Sequence, residues 1–304
     1  MSEPMRIFCG ADRSQQLPFD VLAHSIRRHA SRSVEIRTID NALAPPVADP
    51  RHAPYTEFSF GRFAIPELSG HRGRALYMDS DMLVFRDIAE AYDQPFGEAK
   101  ILIEEGARDK RDRGKHAAFM LLDCGRLDWR IDEIVASLGE RYGYNELLAI
   151  DPLVAPGEIA ARIPAGWNTL DAYDPAQTRN IHFTEVRTQP WVCVTHPHGG
   201  LWIAELRVML ATGAIDARTI RDEVAHGYVR PSLLVELEIE HGASPADHDS
   251  LAAYDAGRGF VAHRALLERF AARKRAARVA ERDAAIARQP WLAPWYRLRH
   301  ALRS

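Results

Sequence analysis

Asp79 and Asp81 stand one residue apart at the end of the apolar run Ala75-Leu76-Tyr77-Met78 and are followed by Met82-Leu83-Val84. The pattern reads as a buried strand whose tip carries acids. In a strand, residues i and i+2 point the same way, so the two carboxylates can converge on one hard cation. Two buried, unpaired carboxylates repel each other and resist desolvation, and a divalent ion relieves both penalties. The bland reading is that the acids cap a turn through backbone hydrogen bonds.

The elements around that pair place it. Arg6 to Asp12 reads as a first strand ending in Gly10, Ala11 and an acid, and Leu17 to His29 has helical spacing through Phe19, Leu22, Ala23 and Ile26. Val34 to Ile39 alternates as a second strand, Asn41 to Pro54 is Pro- and Ala-rich loop, and Arg62 to Leu68 is a short helix feeding the Asp79 strand. Lys100 to Glu104 and Phe119 to Asp123 add further strands. Alternation of this kind predicts an α/β sandwich with a largely parallel sheet, whose ligands bind beyond the carboxyl ends of the strands. Asp12 and the Asp79/Asp81 pair both fall at such ends, so one cleft can hold all three.

Composition sets outer bounds. With 304 residues the chain is at the upper edge of a single core. The residues are 46% hydrophobic and 27% charged, and a net charge of -3 argues against a nucleic-acid protein. Cys9, Cys124 and Cys193 are scattered without a C-x-x-C pair, so neither a disulfide framework nor a zinc site is expected. No run approaches the roughly 18 apolar residues of a membrane span, and no apolar signal core precedes the first strand. A reducing cytoplasm is the expected location.

In order and spacing, Gly10-Ala11-Asp12, Phe60-Gly61-Arg62-Phe63-Ala64-Ile65-Pro66-Glu67-Leu68 and Leu76 to Val84 carry a resemblance. It continues through Phe119 to Cys124, Ile163-Pro164-Ala165-Gly166-Trp167-Asn168, and Ile181-His182-Phe183 ahead of Gln189-Pro190-Trp191. From about Arg6 to Trp191 the chain resembles the retaining family 8 glycosyltransferases, the group of glycogenin and the bacterial lipopolysaccharide galactosyl- and glucosyltransferases. The resemblance implies a GT-A-like nucleotide-diphospho-sugar transferase fold, a UDP-sugar donor, and Mn²⁺ or Mg²⁺ as cofactor. It makes Asp79, Asp81 and His182 the metal ligands. Gly10, Ala11 and Asp12 become the nucleoside-holding turn, with Arg62 and Ser80 on the donor. Asp151 and Gln189 are carried over as the catalytic positions.

Each residue also has a structural reading: His182 as a hydrogen-bonded strand histidine, Arg62 as a helix charge, Trp167 as core packing, Asp12 as a cap. The chain departs from the family pattern as well. Gln189 stands where a phosphate-binding lysine is expected, so Arg187 or Arg179 would have to supply that charge. Ala149-Ile150-Asp151 keeps only the last acid of an acid-Gln-acid segment, with Asn145-Glu146 as the other alignment. His116-Ala117-Ala118 replaces Asn-Ser-Gly. Donor binding is therefore better supported than turnover.

Residues 1–205 are expected to form the catalytic domain and 206–304 a mostly helical C-terminal region. Ile203 to Ala211, Leu233 to Glu240 and Arg264 to Arg288 read as helices. From Arg264 to Ser304 the chain has 11 arginines and lysines against 3 acids, with Trp291, Trp295, Tyr296, Leu298 and Leu302 among them. That combination suits peripheral contact with an anionic membrane, at the cytoplasmic face, or a helix packed on its own domain. The expected activity is transfer of a hexose from a UDP-sugar to a glycan or lipid-linked acceptor with retained configuration. Two rivals stand beside it: a sugar-nucleotide-binding relic without turnover, and a phosphatase of the haloacid dehalogenase type, whose acid pair normally lies on the first strand.

Overall fold

The computed structural model describes residues 3–47, 49–106, 116–240, 247–289 and 291. In chain order these form β1 (Met5–Gly10), α1 (Gln16–His29), β2 (Val34–Ile39), α2 (Ile65–Leu68), β3 (Arg74–Asp79), β4 (Met82–Val84) and α3 (Ala89–Tyr92). Next come β5 (Ile101–Glu104), β6 (Phe119–Asp123), α4 (Ile131–Ala136), α5 (Tyr144–Leu148), β7 (Ile159–Ile163), β8 (Thr169–Leu170) and β9 (Asn180–His182). The helices α6 (Gly199–Thr212), α7 (Ala217–Ala225), α8 (Ser232–Glu236), α9 (His248–Gly257) and α10 (Arg264–Arg288) complete the described chain.

Six strands form the main sheet in the order β2-β1-β3-β6-β5-β7. Its central strand β3 is flanked by β1 in parallel and β6 antiparallel. Ala75 to Met78 are fully buried because both faces of that strand are covered. Successive side chains go to opposite layers: Tyr77 joins Phe8, Phe60 and Phe63, while Leu76 and Met78 join Ile7, Cys9, Leu22 and Ile26. The sheet is mixed rather than largely parallel. β6 is antiparallel to its sequence neighbour β5 as well as to β3, a pairing that needs no crossover helix.

A second sheet, β4-β9-β8, begins where β3 ends. Between the two sheets lies the Asp79-Ser80-Asp81 turn. A third apolar cluster, from Leu17 and Val21 through Phe183, Trp191 and Trp202 to Val229 and Leu233, packs α6 and α8 against α1 and β9. Behind the Gln189-Pro190-Trp191 turn, buried Arg230 donates from Nε to the Pro190 carbonyl at 3.0 Å and from Nη1 to Ser232 Oγ at 2.6 Å, and it pairs with Glu236. Asp255 of α9 accepts from the Ser232 backbone and hydroxyl, both at 2.7 Å. Among the described residues no helix is long and apolar enough to cross a membrane.

Candidate donor and metal site

Strand periodicity is not what brings the two acids together. Asp79 is the last residue of β3, whereas Ser80 and Asp81 form the bend between sheets. The chain changes sheet there, and β4 pairs antiparallel with β9 in the register Met82 to His182. The Phe183 amide donates to the Asp81 carbonyl at 2.8 Å, which seats His182 against the bend although a hundred residues separate them. One ligand atom from each of Asp79, Asp81 and His182 lies within 4.8 Å of the others.

Each member is oriented by a neighbour. His182 is fully buried, and its Nδ1 lies 2.9 Å from Asn168 Oδ1. With that oxygen accepting, the proton is on Nδ1 and the Nε2 lone pair faces the acids, 3.1 Å from Asp81 Oδ1 and 3.9 Å from Asp79 Oδ2. Nε2 makes no hydrogen bond of its own. Such a set of lone pairs, hard oxygens plus one imidazole, fits Mn²⁺ or Mg²⁺. Asn168 is held by the Gly166 turn, where φ is +95° and a Cβ would lie 2.2 Å from the Gln177 carbonyl oxygen, so glycine is required. Trp167 stacks on Phe119 at 5.6 Å in the core, the structural role expected of it.

Asp79 is fixed on its other oxygen. Tyr77 donates its hydroxyl to Asp79 Oδ1 at 2.5 Å, and Arg62 approaches the same atom at 3.3 Å. Burial drives the Tyr77 pKa far up, so the phenol stays a donor. Arg62 is buried, sits 4.4 Å from the Tyr77 ring centroid and donates to the carbonyls of Ser59 and Ala117. Burial alone would lower its pKa, but Tyr77 and Asp79 outweigh that and leave it above its ordinary value, a permanent cation.

A cavity of about 360 Å³ opens beside this cluster, lined by Asp12, Arg62, Asp79, Asp81 and Gln189, by the aromatics Tyr55, Phe58 and Tyr144, and by Leu266 and Phe270 of α10. Asp12 caps the Arg13–Gln15 turn, its Oδ1 accepting from the Ser14 amide at 2.9 Å, so capping and cavity lining coexist in one residue. Ala11 is buried, its amide donating to the Ile39 carbonyl, and at Gly10 a Cβ would lie 2.6 Å from the Tyr77 hydroxyl. Ser80 is buried within the bend. Gln189 is buried and its amide donates to Asp81 Oδ2 at 2.9 Å and to the Phe183 carbonyl at 2.8 Å.

Other expected residues lie elsewhere. Asp151 is exposed at the start of a 3-10 turn and is not among the cavity's lining residues, and the preceding Ile150 is buried in the left-handed region at φ 60°. Arg179 pairs with Glu90 at 3.0 Å and Arg187 is exposed, so neither lines the cavity in place of the missing lysine. The sequence reading missed Tyr77 and Asn168 as orienting groups, although both flank residues it singled out. Nothing in it marked Leu266 and Phe270, whose one-turn spacing was the available signal. Of the aromatic tail only Trp291 is described, and it is exposed; Trp295, Tyr296, Leu298 and Leu302 lie outside the described residues.

No protein-family model matches the chain. A curated relative, Protein CDI of Arabidopsis thaliana, is 37% identical over 95 residues, which cover 30% of this chain and 37% of that protein. Among solved structures, the bifunctional glycosyltransferase WbbM superposes with a TM-score of 0.52 at 14% identity over 67% of this chain. The chain spans half of that protein's length. The glycosyltransferase GlyE of Streptococcus pneumoniae gives 0.48 at 15% identity, over 67% of this chain and 60% of that one. The galactosyltransferase LgtC gives 0.47 at 14% identity, over 66% and 95%. The mixed sheet with the second sheet at its edge forms a GT-A-like glycosyltransferase fold, as in WbbM, and a helical C-terminal region follows it.

Proposed function

We propose that this chain is a metal-dependent glycosyltransferase that moves a hexose from a UDP-sugar to a glycan or lipid-linked acceptor with retained configuration. The observation that carries the reading is the convergence of His182, held by Asn168, with Asp79 and Asp81 beside a cavity. A divalent ion held there would act as a Lewis acid on the charge left on the departing diphosphate. The chain's own residues do the rest. Arg62 and Tyr77 hold and aim Asp79, Asp12 accepts a hydrogen bond from the nucleoside, and Gln189 ties Asp81 to the Phe183 carbonyl.

Calorimetry of UDP binding with Mn²⁺ tests this directly. Binding is expected for the unaltered protein, and Asp79→Asn or Asp81→Asn should remove its Mn²⁺ dependence while leaving the melting transition in place. Unchanged affinity in both variants overturns the metal assignment. A binding relic is the second reading, favoured by the exposed Asp151 and buried Ile150 where a reacting-face acid and amide are expected. Slow Mn²⁺-dependent hydrolysis of a UDP-hexose separates the two, because a relic shows none.

We place the membrane contact with the same reading. The outer face of α10 and the exposed Trp291 would meet anionic lipid, and co-sedimentation with phosphatidylserine vesicles at low salt tests it.

A further inference from the structure

α10 has 25 residues and none of them is buried, so no core of its own holds it. Its contacts run instead to the cavity and the loop beside it. Leu266 and Phe270, one turn apart, line the cavity, and Phe270 meets Tyr55 edge-on at 5.5 Å. Arg273 stacks over Tyr55 at 3.7 Å and donates to the Ala53 carbonyl. Between these lies Arg269. Its guanidinium pairs with Glu57 at 2.8 Å and stands 3.8 Å from Asp12 Oδ2, and its Nη1 is shielded from solvent and makes no hydrogen bond.

A shielded cationic donor without an acceptor costs stability, and such a group calls for an explanation. Asp12 Oδ1 is occupied by Ser14, which leaves Oδ2, an acceptor lining the cavity, with the Arg269 Nη1 donor 3.8 Å behind it. The edge of uracil offers the complement, an N3–H donor next to the O4 acceptor. Cytosine reverses both, with a bare N3 next to an amino group.

We propose that α10 completes the donor site as its base-reading wall. Phe270 lies against one side of the pyrimidine, backed by Tyr55, while Asp12 Oδ2 accepts from N3–H and Arg269 Nη1 donates to O4. This inference rests on the nucleotide-sugar reading of the cavity and makes Arg269 a specificity-determining residue for the uridine nucleotide. Sites built around hydrogen bonds reject analogues that leave their polar groups unpaired, so the preference for uracil over cytosine depends on the pair.

The experiment is competitive calorimetry of UDP and CDP, each with Mn²⁺, on the full chain. The unaltered protein is expected to prefer UDP. Arg269→Ala should weaken UDP by about tenfold, the loss of one charge-assisted hydrogen bond, and leave CDP nearly unchanged. Phe270→Ala should weaken both nucleotides in equal proportion. Arg269→Lys, which keeps the charge, should recover part of the preference. Because α10 contributes nothing to the core, these variants should melt as the parent does. An intact UDP preference in Arg269→Ala overturns the inference alone, and tighter binding of both nucleotides would show α10 to be a plug, overturning it too. If the unaltered protein binds neither nucleotide, the proposed function fails and takes this inference with it.

Discussion

His182 Nδ1 and Asn168 Oδ1 lie 2.9 Å apart, a contact that leaves Nε2 of the imidazole facing the acids. Were the proton on Nε2 instead, it would point at Asp81 Oδ1, 3.1 Å away, and the ring would be an ordinary hydrogen-bonded histidine. With its oxygen accepting, Asn168 leaves His182 placed to act as a ligand. It is held for the purpose by the Gly166 turn and by Glu104, which accepts from the Asn168 amide at 3.1 Å.

Asn168→Ala should then weaken metal binding without touching a ligand. Partners that orient a ligating histidine typically contribute about 10- to 100-fold in metal affinity. Mn²⁺ titration followed by electron paramagnetic resonance would read the loss directly. An affinity within twofold of the parent would mean that the tautomer is set by something other than Asn168.

Much of the strand and helix pattern could be read from the sequence. β1, β2 and β6 fall within a residue or two of where apolar spacing puts them, and α10 coincides with the Ala- and Arg-rich stretch. What could not be read was pairing. The antiparallel run of β6 depends on which strand it meets, and the convergence of Asp81 with His182 depends on a change of sheet at Ser80 that no local pattern announces. Leu266 and Phe270 passed unmarked within the Ala- and Arg-rich helix, because spacing alone does not say what covers an apolar pair. The ring that meets Phe270, Tyr55, comes from a loop about two hundred residues earlier, as does Phe58 of the same cavity.

Gln189 offers a test of how the site manages charge. Its amide is only 2.9 Å from Asp81 Oδ2, so Gln189→Lys would set an ammonium against a carboxylate of the proposed metal site. UDP affinity measured in EDTA should rise by something on the order of 1 kcal/mol, as for one charge-assisted contact, while the gain on adding Mn²⁺ should shrink. If UDP binding in EDTA does not change, another cation already serves the phosphates.

Arg230 secures the turn that carries Gln189. Only 2% of it is exposed, and it bonds to Pro190, Ser232 and Glu236, while its backbone amide donates to the Trp191 carbonyl at 2.8 Å. Removing one partner of a buried, hydrogen-bonded ion pair typically costs about 3 to 5 kcal/mol. Arg230→Met should lower the urea midpoint accordingly, with an unchanged slope. A change under 1 kcal/mol would show that water or a neighbour satisfies Glu236 and the Pro190 carbonyl without it.

His263 precedes α10 in the left-handed region, at φ 49° and ψ 37°, and burial lowers its pKa from 6.5 to about 4 even though Asp81 and Asp12 pull the other way. The sign of the consequence follows from proton counting. Between those two values the unfolded chain binds a proton that the folded chain refuses, so stability is full above about pH 6.5 and falls as pH drops towards 4. The whole window is worth at most about 3.4 kcal/mol, at 1.36 kcal/mol for each pH unit. His263→Asn removes the titrating group and keeps a side chain that tolerates the left-handed backbone. Urea midpoints at pH 7, 5.5 and 4.5, taken in EDTA, should fall less steeply for the variant than for the parent. Parallel curves would mean that the acid sensitivity of the fold lies in other groups, and that His263 is hydrated enough to protonate where it stands.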